Sequence, residues 1–409
     1  MMRSLIALAL VTPGLLVTAP EAGAAVPTCA GHRVTIDLND AHHPNPHRPQ
    51  SDVVLGTNLQ DKIRTGAGND IVCGGRSHDN IDLGPGDDVG LGEGGGATLN
   101  GGPGDDRLVG DPNNYSSAAD FRDAPRGVHV DLRIKGPQDT GWGRDTIIDV
   151  ANVFGSAHDD ELRTRVLSGP SDSWHRHALL SGGAGDDVLV GSRAGNRFLG
   201  GAGDDVMRGL GGSDRFDQYL LDDENLGADT VYGGPGGDIL EAATPGDHYE
   251  GGDGDDHLTV AQCLPTCEAG LTELYGGAGD DRFSLDQGDE LVDGGDGVDG
   301  IDDNFYPASE GGLLTVDLAI LGPQDTGIGG IDDISDVEDL VGGFWVDNHL
   351  FGNDAANRLT AYDGDDVLEG RGGDDSLFGG SGDDILDGGD GTDTCDGALG
   401  TNQLIDCEL

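Results

Sequence analysis

The sequence predicts an all-β solenoid in which short strands alternate with glycine-rich turns, and three observations support this prediction. A nine-residue unit, Gly-Gly-x-Gly-x-Asp-x-U-x with U apolar, matches at its first six positions in nine windows. Position eight, U, is a large apolar residue in eight of the nine. The 409 residues include 75 Gly and 77 Asp+Glu. With so many of these residues, the chain has too few large apolar side chains for an ordinary globular core. The windows begin at Gly101, Gly182, Gly200, Gly233, Gly251, Gly276, Gly294, Gly379 and Gly388.

Each unit is interpreted as one turn followed by one strand. The glycines let the backbone adopt conformations closed to other residues, and the Asp directs a carboxylate into the turn. The x-U-x tail is a short strand whose apolar residue faces inward. Two units make one coil, because successive turns must lie on opposite edges for the strands to stack.

The nine-residue frame divides the chain into three repeat arrays joined by short β segments. The first array has six units, the second fifteen if insertions at 218–223 and 260–266 are allowed, and the third six. The full division is 1–24, a signal peptide; 25–55, an N-terminal cap and His/Pro-rich linker; 56–109, array one; 110–154, a connection; 155–302, array two; 303–342, a connection; 343–396, array three; and 397–409, a C-terminal cap.

The repeat unit resembles that of the hemolysin-type, or repeats-in-toxin (RTX), calcium-binding family. This resemblance implies a right-handed parallel β-roll with calcium held between stacked turns. Each ion would take position-six carboxylates and glycine-turn carbonyl oxygens from units two apart. Such all-oxygen ligands are those that a hard cation such as calcium prefers.

Pairing good turns 18 residues apart predicts about seven calcium sites. In the first array the alternate units lack the required glycines, so only one edge of the roll is expected to bind ions there. In the last array both edges qualify. The predicted ligands are Asp70, Asp88, Asp106, Asp187, Asp205, Asp238, Asp256, Asp281, Asp299, Asp366, Asp375, Asp384 and Asp393.

The charge balance restricts the partners of the chain. With 22 Lys+Arg the formal net charge is −55, which disfavours nucleic acid because phosphate binding draws mainly on Lys and Arg. Without counter-ions this composition is typical of disorder. Calcium binding and folding are therefore expected to be one equilibrium.

The first residues have the pattern of an export signal. Arg3 precedes the apolar stretch Leu5–Val17, and Ala22-Gly23-Ala24 has the small-residue spacing that a signal peptidase accepts. This stretch is shorter than the roughly 20 residues that span a bilayer, and no other segment could span one. We therefore expect an extracellular protein; an N-terminal anchor or a buried helix is the alternative.

Six cysteines in an exported chain favour disulfides. Their positions suggest Cys29 with Cys73 and Cys395 with Cys407, each tying a chain end to the neighbouring repeat. Cys263 and Cys267 would close a tight third loop, for which a zinc site is the alternative. Six cysteines allow 15 connectivities, so this pairing is one hypothesis among several.

A second motif occurs twice outside the repeats. The sequence Val130-Asp-Leu…Gly-Pro-Gln-Asp-Thr-Gly141 reappears at Val316–Gly327, and each copy leads into an array. We interpret it as a duplication that caps and restarts the roll; a shared ligand loop is the alternative. For Trp142 and Trp345, beside these copies, burial is favoured over sugar stacking.

The sequence contains no recognisable catalytic motif, neither H-E-x-x-H nor G-x-S-x-G. We therefore expect a secreted, calcium-dependent structural or binding protein, not an enzyme, with an extracellular or cell-envelope partner that the sequence does not identify. The alternative is a hydrolase acting on polysaccharides or esters through 110–154 or 303–342. A cluster of carboxylates, His and aromatic residues outside the turns would favour that alternative. Many RTX relatives leave through a C-terminal signal, so the N-terminal signal here argues against toxin function.

Overall fold

The computed structural model describes residues 27–39, 50–113, 115–167, 177–217, 227–242, 244–260, 270–285, 288–302, 313–327 and 330–408. The predicted signal peptide, most of the His/Pro-rich linker and the Cys263/Cys267 pair lie outside these residues. Within them the chain is a parallel β-roll, because short strands alternate between two faces and nearly all pair in parallel. The predicted all-β fold class is confirmed.

Forty strands and one short 3-10 turn, Glu93–Gly95, lie in the described residues. The strands up to the first connection are β1 (Thr28–Cys29), β2 (His32–Arg33), β3 (Ile36–Asp37), β4 (Val53–Leu55), β5 (Lys62–Arg64), β6 (Ile71–Cys73), β7 (Asp79–Asp82), β8 (Val89–Leu91), β9 (Ala97–Asn100) and β10 (Arg107–Val109). The first connection adds β11 (Ala118–Asp120), β12 (His129–Asp131), β13 (Gln138–Asp139), β14 (Arg144–Ile148) and β15 (Asn152–Phe154).

The second array contains β16 (Glu161–Arg163), β17 (Ala178–Ala184), β18 (Val188–Val190), β19 (Asn196–Ala202), β20 (Val206–Arg208), β21 (Arg215–Phe216), β22 (Thr230–Pro235), β23 (Ile239–Ala242), β24 (His248–Asp253), β25 (His257–Val260), β26 (Leu271–Ala278), β27 (Arg282–Ser284), β28 (Asp289–Asp296) and β29 (Gly300–Asp302). The remaining strands are β30 (Leu313–Asp317), β31 (Gln324–Asp325), β32 (Ile331–Ser335), β33 (Asp339–Val341), β34 (Asp347–Phe351), β35 (Arg358–Thr360), β36 (Val367–Glu369), β37 (Ser376–Phe378), β38 (Ile385–Asp387), β39 (Thr394–Asp396) and β40 (Gln403–Ile405).

One face of the roll is continuous and the other is divided. A sixteen-stranded sheet runs from β5 to β39 through both connections. The opposite face consists of a seven-stranded, a ten-stranded and a five-stranded sheet. We call the turns that leave the sixteen-stranded sheet the first edge and those that return to it the second edge. The three arrays are therefore parts of one roll, because the connections supply strands to the same sheets.

The position-eight residues form a single core between the two faces. Leu108, Leu189 and Leu258 are at most 1% exposed, and the stacked rings of Phe198 and Phe216 have centroids 4.6 Å apart. Full burial of one such side chain stabilises the fold by about 1.5–3 kcal/mol. The predicted inward direction of position eight is confirmed.

The register between strands measures the length of each coil. Val53 pairs with Ile71, the 18-residue step of an uninterrupted coil. Steps of 24 residues, Val206 to Thr230, and 25, His248 to Glu273, agree with the two insertions found in sequence. A third step, from Glu161 to Val188, spans 27 residues. One of the fifteen units in the second array is therefore an insertion, which the frame hides because it has the length of one unit.

The duplicated motif ends one sheet and begins the next. In the first copy β12 starts the ten-stranded sheet, and β13 turns back antiparallel to β14, which extends the seven-stranded sheet. Gln138 fixes this reversal, since its Oε1 accepts the Asp131 N–H at 2.8 Å and its Nε2 donates to the Asp131 carbonyl at 3.2 Å. Gln324 and Asp317 repeat both bonds in the second copy. The motif therefore ends and restarts one face of the roll, whereas the sixteen-stranded sheet continues through both copies, so the roll as a whole is not restarted.

The two tryptophans beside these copies differ. Trp142 is partly buried against the core, whereas Trp345 is 57% exposed, so the expected burial of Trp345 is wrong. Trp345 lies in a turn with φ 59°, and its neighbour Val346 fills the core position at 2% exposure. The inward position is thus taken by the aliphatic side chain, and the indole faces outward.

Two of the proposed disulfides are present in the described residues. Cys29 bonds to Cys73 and Cys395 to Cys407, with Cα atoms 5.8 and 5.9 Å apart. The first ties the hairpin of β1 and β2 to β6, and the second ties the C-terminal cap to β39. Both ends of the solenoid are therefore fixed covalently.

Candidate metal sites

All thirteen predicted aspartates lie at position six of stacked turns, and each is at most 2% exposed. In array one they lie on the first edge, in array two on the first edge and then the second, and in array three on both. Burial of so many carboxylates is exceptional, because Asp is almost never fully buried without a partner.

A hydrogen-bond ladder joins each aspartate to the next coil. The N–H of Asp70 donates to Oδ1 of Asp88 at 2.6 Å, and the N–H of Asp88 donates to Oδ1 of Asp106 at 2.9 Å. The other five predicted pairs are joined by the same bond, with lengths of 2.7–3.2 Å. The structure therefore brings all seven predicted pairs together in adjacent coils.

The second carboxylate oxygen has no such partner. In all thirteen aspartates Oδ2 is buried and makes no hydrogen bond with the residues that the structure describes. An ionised oxygen removed from water without a partner is strongly unfavourable, so this position calls for a cation. We call a turn with this feature an open turn.

Backbone oxygens complete the surroundings of each open turn. The carbonyl oxygens of Gly183 and Gly185 face Gly201 and Gly203 of the next coil so closely that a Cβ there would overlap them. The position-one glycine is also required, because a Cβ at Gly182 would overlap Oδ2 of Asp187. In the part of the chain that the structure describes, no group of three or more His, Cys, Asp or Glu side chains is arranged to hold a metal ion by itself. Any ion here would therefore be held by carboxylate pairs and carbonyls, a donor set that fits calcium.

The pKa values of these carboxyls reflect the same burial. Burial raises the pKa of Asp88 to about 7 and that of Asp187 to about 8. The ladder N–H of the preceding coil lowers each pKa in part, while neighbouring carboxylates raise it further. Without a cation these carboxyls would be partly protonated near neutral pH.

The structure adds three open turns that the sequence did not predict, at Asp52, Asp79 and Asp214. The turn before Asp214 lacks glycine at position two, where Leu210 adopts φ 75° instead. Asp52 lies near the end of the segment 25–55 and has no glycine pattern before it. The sequence signal that all three share is an Asp at position six of the nine-residue frame.

Other turns are closed by their own residues. Ser156 at position two donates its N–H to Oδ2 of Asp160, and its hydroxyl donates to Oδ1 at 2.9 Å. Thr57 donates its N–H to Asp61 in the same way at 2.6 Å. In a third such turn Ser192 N–H donates to Oδ1 of Asn196 at 2.7 Å, so the position-six group is a neutral amide. We call these closed turns, because the protein supplies the partners that an open turn lacks.

The open turns and the parallel sheets define a class: a β-roll whose stacked turns present buried oxygen ligands to a hard cation. The family model for the RTX calcium-binding nonapeptide repeat matches residues 55–90, 91–114, 181–216, 225–243, 270–301, 342–377 and 369–404, together just over half of the chain. The chain belongs to this family and is a calcium-binding β-roll protein. No curated protein matched the sequence. Within the described part of the chain, no helix is long and apolar enough to cross a membrane.

Proposed function

We propose that this protein is secreted and folds on binding calcium, and that the folded roll is itself the functional product, a rigid acidic rod with a structural or extracellular binding role. One observation carries the proposal. Thirteen aspartates predicted from sequence each bury an Oδ2 that has no hydrogen-bond partner in the described residues. A fold that buries so many unpaired carboxylate oxygens needs cations to be stable at neutral pH.

We propose ten calcium positions, each between open turns of adjacent coils. Seven are the predicted pairs. Three more join Asp52 to Asp70, Asp214 to Asp238 and Asp256 to Asp281 through the same ladder bond, of 2.7, 2.7 and 2.8 Å. The last two were missed because an insertion separates the partners in sequence. The ten pairs are the only neighbours in which both Oδ2 atoms lack a partner among the described residues.

A calcium titration of the mature chain, followed by circular dichroism and isothermal calorimetry, tests the proposal. We expect a disordered spectrum in chelator and a cooperative gain of β structure in calcium, with affinities of about 10⁻⁴–10⁻³ M that are typical of extracellular modules. Magnesium is the matched control, since its smaller octahedral shell fits these turns less well. Equal β content in chelator and in calcium would contradict calcium-dependent folding.

Secretion is supported by the N-terminal signal pattern and by two disulfides, which persist in oxidising compartments. Sequencing the N-terminus of the protein recovered from culture medium would test it. We expect a chain that begins near Ala25. Recovery of the protein only inside cells, with residues 1–24 intact, would contradict it.

The second candidate, a secreted hydrolase, is favoured by one surface cluster. His248 lies between Glu250 and Glu273 and close to two tyrosines, outside the turns. Both carboxylates contact the same imidazole on an open sheet face, whereas glycosidases place two carboxyls on either side of the bond that they cleave. We therefore propose a non-enzymatic role. A screen of the calcium-loaded protein against polysaccharides and esters should detect no hydrolysis, and turnover that Glu273→Gln abolishes would favour the hydrolase.

A further inference from the structure

Six polar and aromatic side chains form a cluster on the outer face of the ten-stranded sheet. They come from four neighbouring strands, β20, β22, β24 and β26, and none of them belongs to a turn. We call this cluster the tyrosine platform; it consists of Arg208, Tyr232, His248, Glu250, Glu273 and Tyr275.

Strand register places part of the platform in one straight row. Tyr232 pairs with Glu250, and Glu250 pairs with Tyr275, so the three outward side chains lie side by side on consecutive strands. Strands are about 4.8 Å apart, which separates the two tyrosines by about 10 Å. The row crosses the strands and therefore runs along the axis of the solenoid.

Contacts within the platform hold its side chains in place. His248 Nδ1 lies 2.7 Å from Oε2 of Glu273, and Nε2 lies 3.1 Å from Oε1 of Glu250. The imidazole ring is 5.2 Å from the ring of Tyr275 and 6.2 Å from that of Tyr232. The guanidinium of Arg208 lies 5.3 Å from the centroid of the Tyr232 ring. Preorganised side chains lose less conformational entropy when a ligand binds.

The fold does not require these residues. The inward position of β24 is filled by Tyr249, which is fully buried, so the core is complete without the platform. Aromatic residues make up only 5% of the chain, and two of its seven tyrosines share this row on the outer face. Tyrosine and arginine are the residues most enriched where a protein surface binds a partner.

The local charge is less negative than the composition of the whole chain would suggest. The platform carries two basic groups, Arg208 and His248, beside the carboxylates Glu250 and Glu273, and Asp293 pairs with Tyr275 on the next strand, whereas the whole chain carries a formal charge of −55. Burial lowers the pKa of His248, but its hydrogen bonds to Glu273 and Glu250 raise it more, so that its pKa lies above its ordinary value. The platform is thus a hydrogen-bonding patch that is less acidic than the rest of the polyanion.

We propose that the tyrosine platform binds an uncharged polysaccharide that lies along the solenoid axis. The half-exposed carboxylates of Glu250 and Glu273 accept hydrogen bonds from sugar hydroxyl groups, and the two tyrosine rings contact the apolar faces of sugar rings. A flat row suits an extended polymer, since small-molecule sites are concave. The acidic rod repels a polyanion. A protein partner would need a centre depleted of charge, whereas the centre here is a charged His–Glu group.

Affinity electrophoresis in calcium tests this proposal, which rests on the calcium-loaded fold. Gels contain hydroxyethyl cellulose, laminarin or xylan as uncharged polymers and alginate as the polyanion. We expect retardation by at least one uncharged polymer. Tyr232→Ala and Tyr275→Ala should each weaken it by at least about tenfold, as expected for residues that dominate a binding site. Phe154→Ala removes an aromatic side chain from the other face of the roll and should leave retardation unchanged.

Three results would overturn the proposal: no retardation of the folded protein by any uncharged polymer, stronger retardation by alginate, or equal retardation of the wild type and the tyrosine variants. Hydrolysis of the retaining polymer would identify an enzyme instead of a binding surface. Circular dichroism of every variant in calcium separates this test from that of calcium-dependent folding. If the spectra match that of the wild type, lost retardation reports on the platform alone.

Discussion

Open and closed turns occur side by side in this roll, and neighbouring coils on the first edge show the contrast directly. Asp160 and Asp187 belong to one ladder, since the N–H of Asp160 donates to Oδ1 of Asp187 at 2.7 Å. Both are buried, yet Asp160 receives two hydrogen bonds from Ser156, whereas Asp187 has Gly183 at position two and leaves Oδ2 without a partner. The same turn can therefore bury a carboxylate in two ways. Either the turn supplies hydrogen-bond donors of its own, or the carboxylate needs a cation.

The difference depends on the conformation of position two. Gly183 and Gly201 have φ of 122° and 118°, in the region that favours glycine, and their N–H groups do not bond to their own aspartate. Ser156 and Thr57 do not adopt positive φ and direct their N–H groups at the carboxylate. In these four turns the residue at position two thus separates the open turns from the closed ones, whereas the open turn of Asp366 has Tyr362 at position two without a positive φ.

The largest expected effect involves all open turns together. At low pH, protons should neutralise the buried carboxylates in place of calcium. Burial raises the pKa of Asp106, Asp187 and Asp256 to about 8 from the ordinary value of 3.8. The folded state therefore binds more protons than the unfolded chain between these values, so stability falls as pH rises through this range. In chelator we expect β structure near pH 4 that is lost on titration to about pH 8.

Circular dichroism in chelator across this pH range measures the effect, and the calcium-loaded protein, whose spectrum should change far less, is the control. A metal-free chain that is equally disordered at both ends of the range would show that protons cannot replace the ions.

A single open turn should matter more than a single closed one. Asp256→Asn removes one charge from two proposed ion positions but preserves the ladder, since Asn402 accepts the same bond from Asp384 at 3.0 Å. We expect a loss of about 3 kcal/mol in the free energy of unfolding in calcium, the scale of an uncompensated buried charge. Asp160→Asn is the matched control and should cost about 1 kcal/mol. Equal losses in calorimetric melting of the two variants would remove the distinction between the turn classes.

Conversion of a closed turn into an open one should add an ion. Ser156→Gly removes the hydroxyl that bonds to Asp160 and permits the positive φ of open turns, so Asp160 and Asp187 would form an eleventh position. Equilibrium dialysis should count one more calcium per chain. Ser192→Gly is the matched control, because Asn196 at its position six is neutral and should gain none. An unchanged count in Ser156→Gly, or the same gain in both variants, would contradict the role of position two.

The sequence predicted the features that depend on spacing within the nine-residue unit. It missed the contacts that depend on how many residues separate one coil from the next. Strands, inward residues and seven aspartate pairs follow from nine-residue periodicity, which backbone geometry translates directly into stacking. The pairing of Asp256 with Asp281 was missed because a seven-residue insertion lies between them, and register, not residue count, makes them neighbours. Tyr275 comes to lie beside Glu250 across the same insertion, so the tyrosine platform could not be found from sequence.

The smallest expected effect concerns backbone strain at position two. Leu210 adopts φ 75° in the open turn of Asp214, where a residue with a Cβ is disfavoured by about 1–2 kcal/mol, and its side chain is 51% exposed. Leu210→Gly should therefore raise the free energy of unfolding by about 1 kcal/mol, less the entropy that glycine adds to the unfolded chain.

Arg371 is the matched control for Leu210, because it has φ 74° at the same position of another open turn. Its guanidinium forms two hydrogen bonds with Asp317, of 2.6 and 2.7 Å, that offset the strain. Arg371→Gly should therefore give no gain and lower the melting temperature, whereas Leu210→Gly should raise it with an unchanged calcium count. If both substitutions lower the melting temperature, a positive φ at position two does not destabilise the open turn. The preference for glycine at this position would then reflect only the close approach between coils.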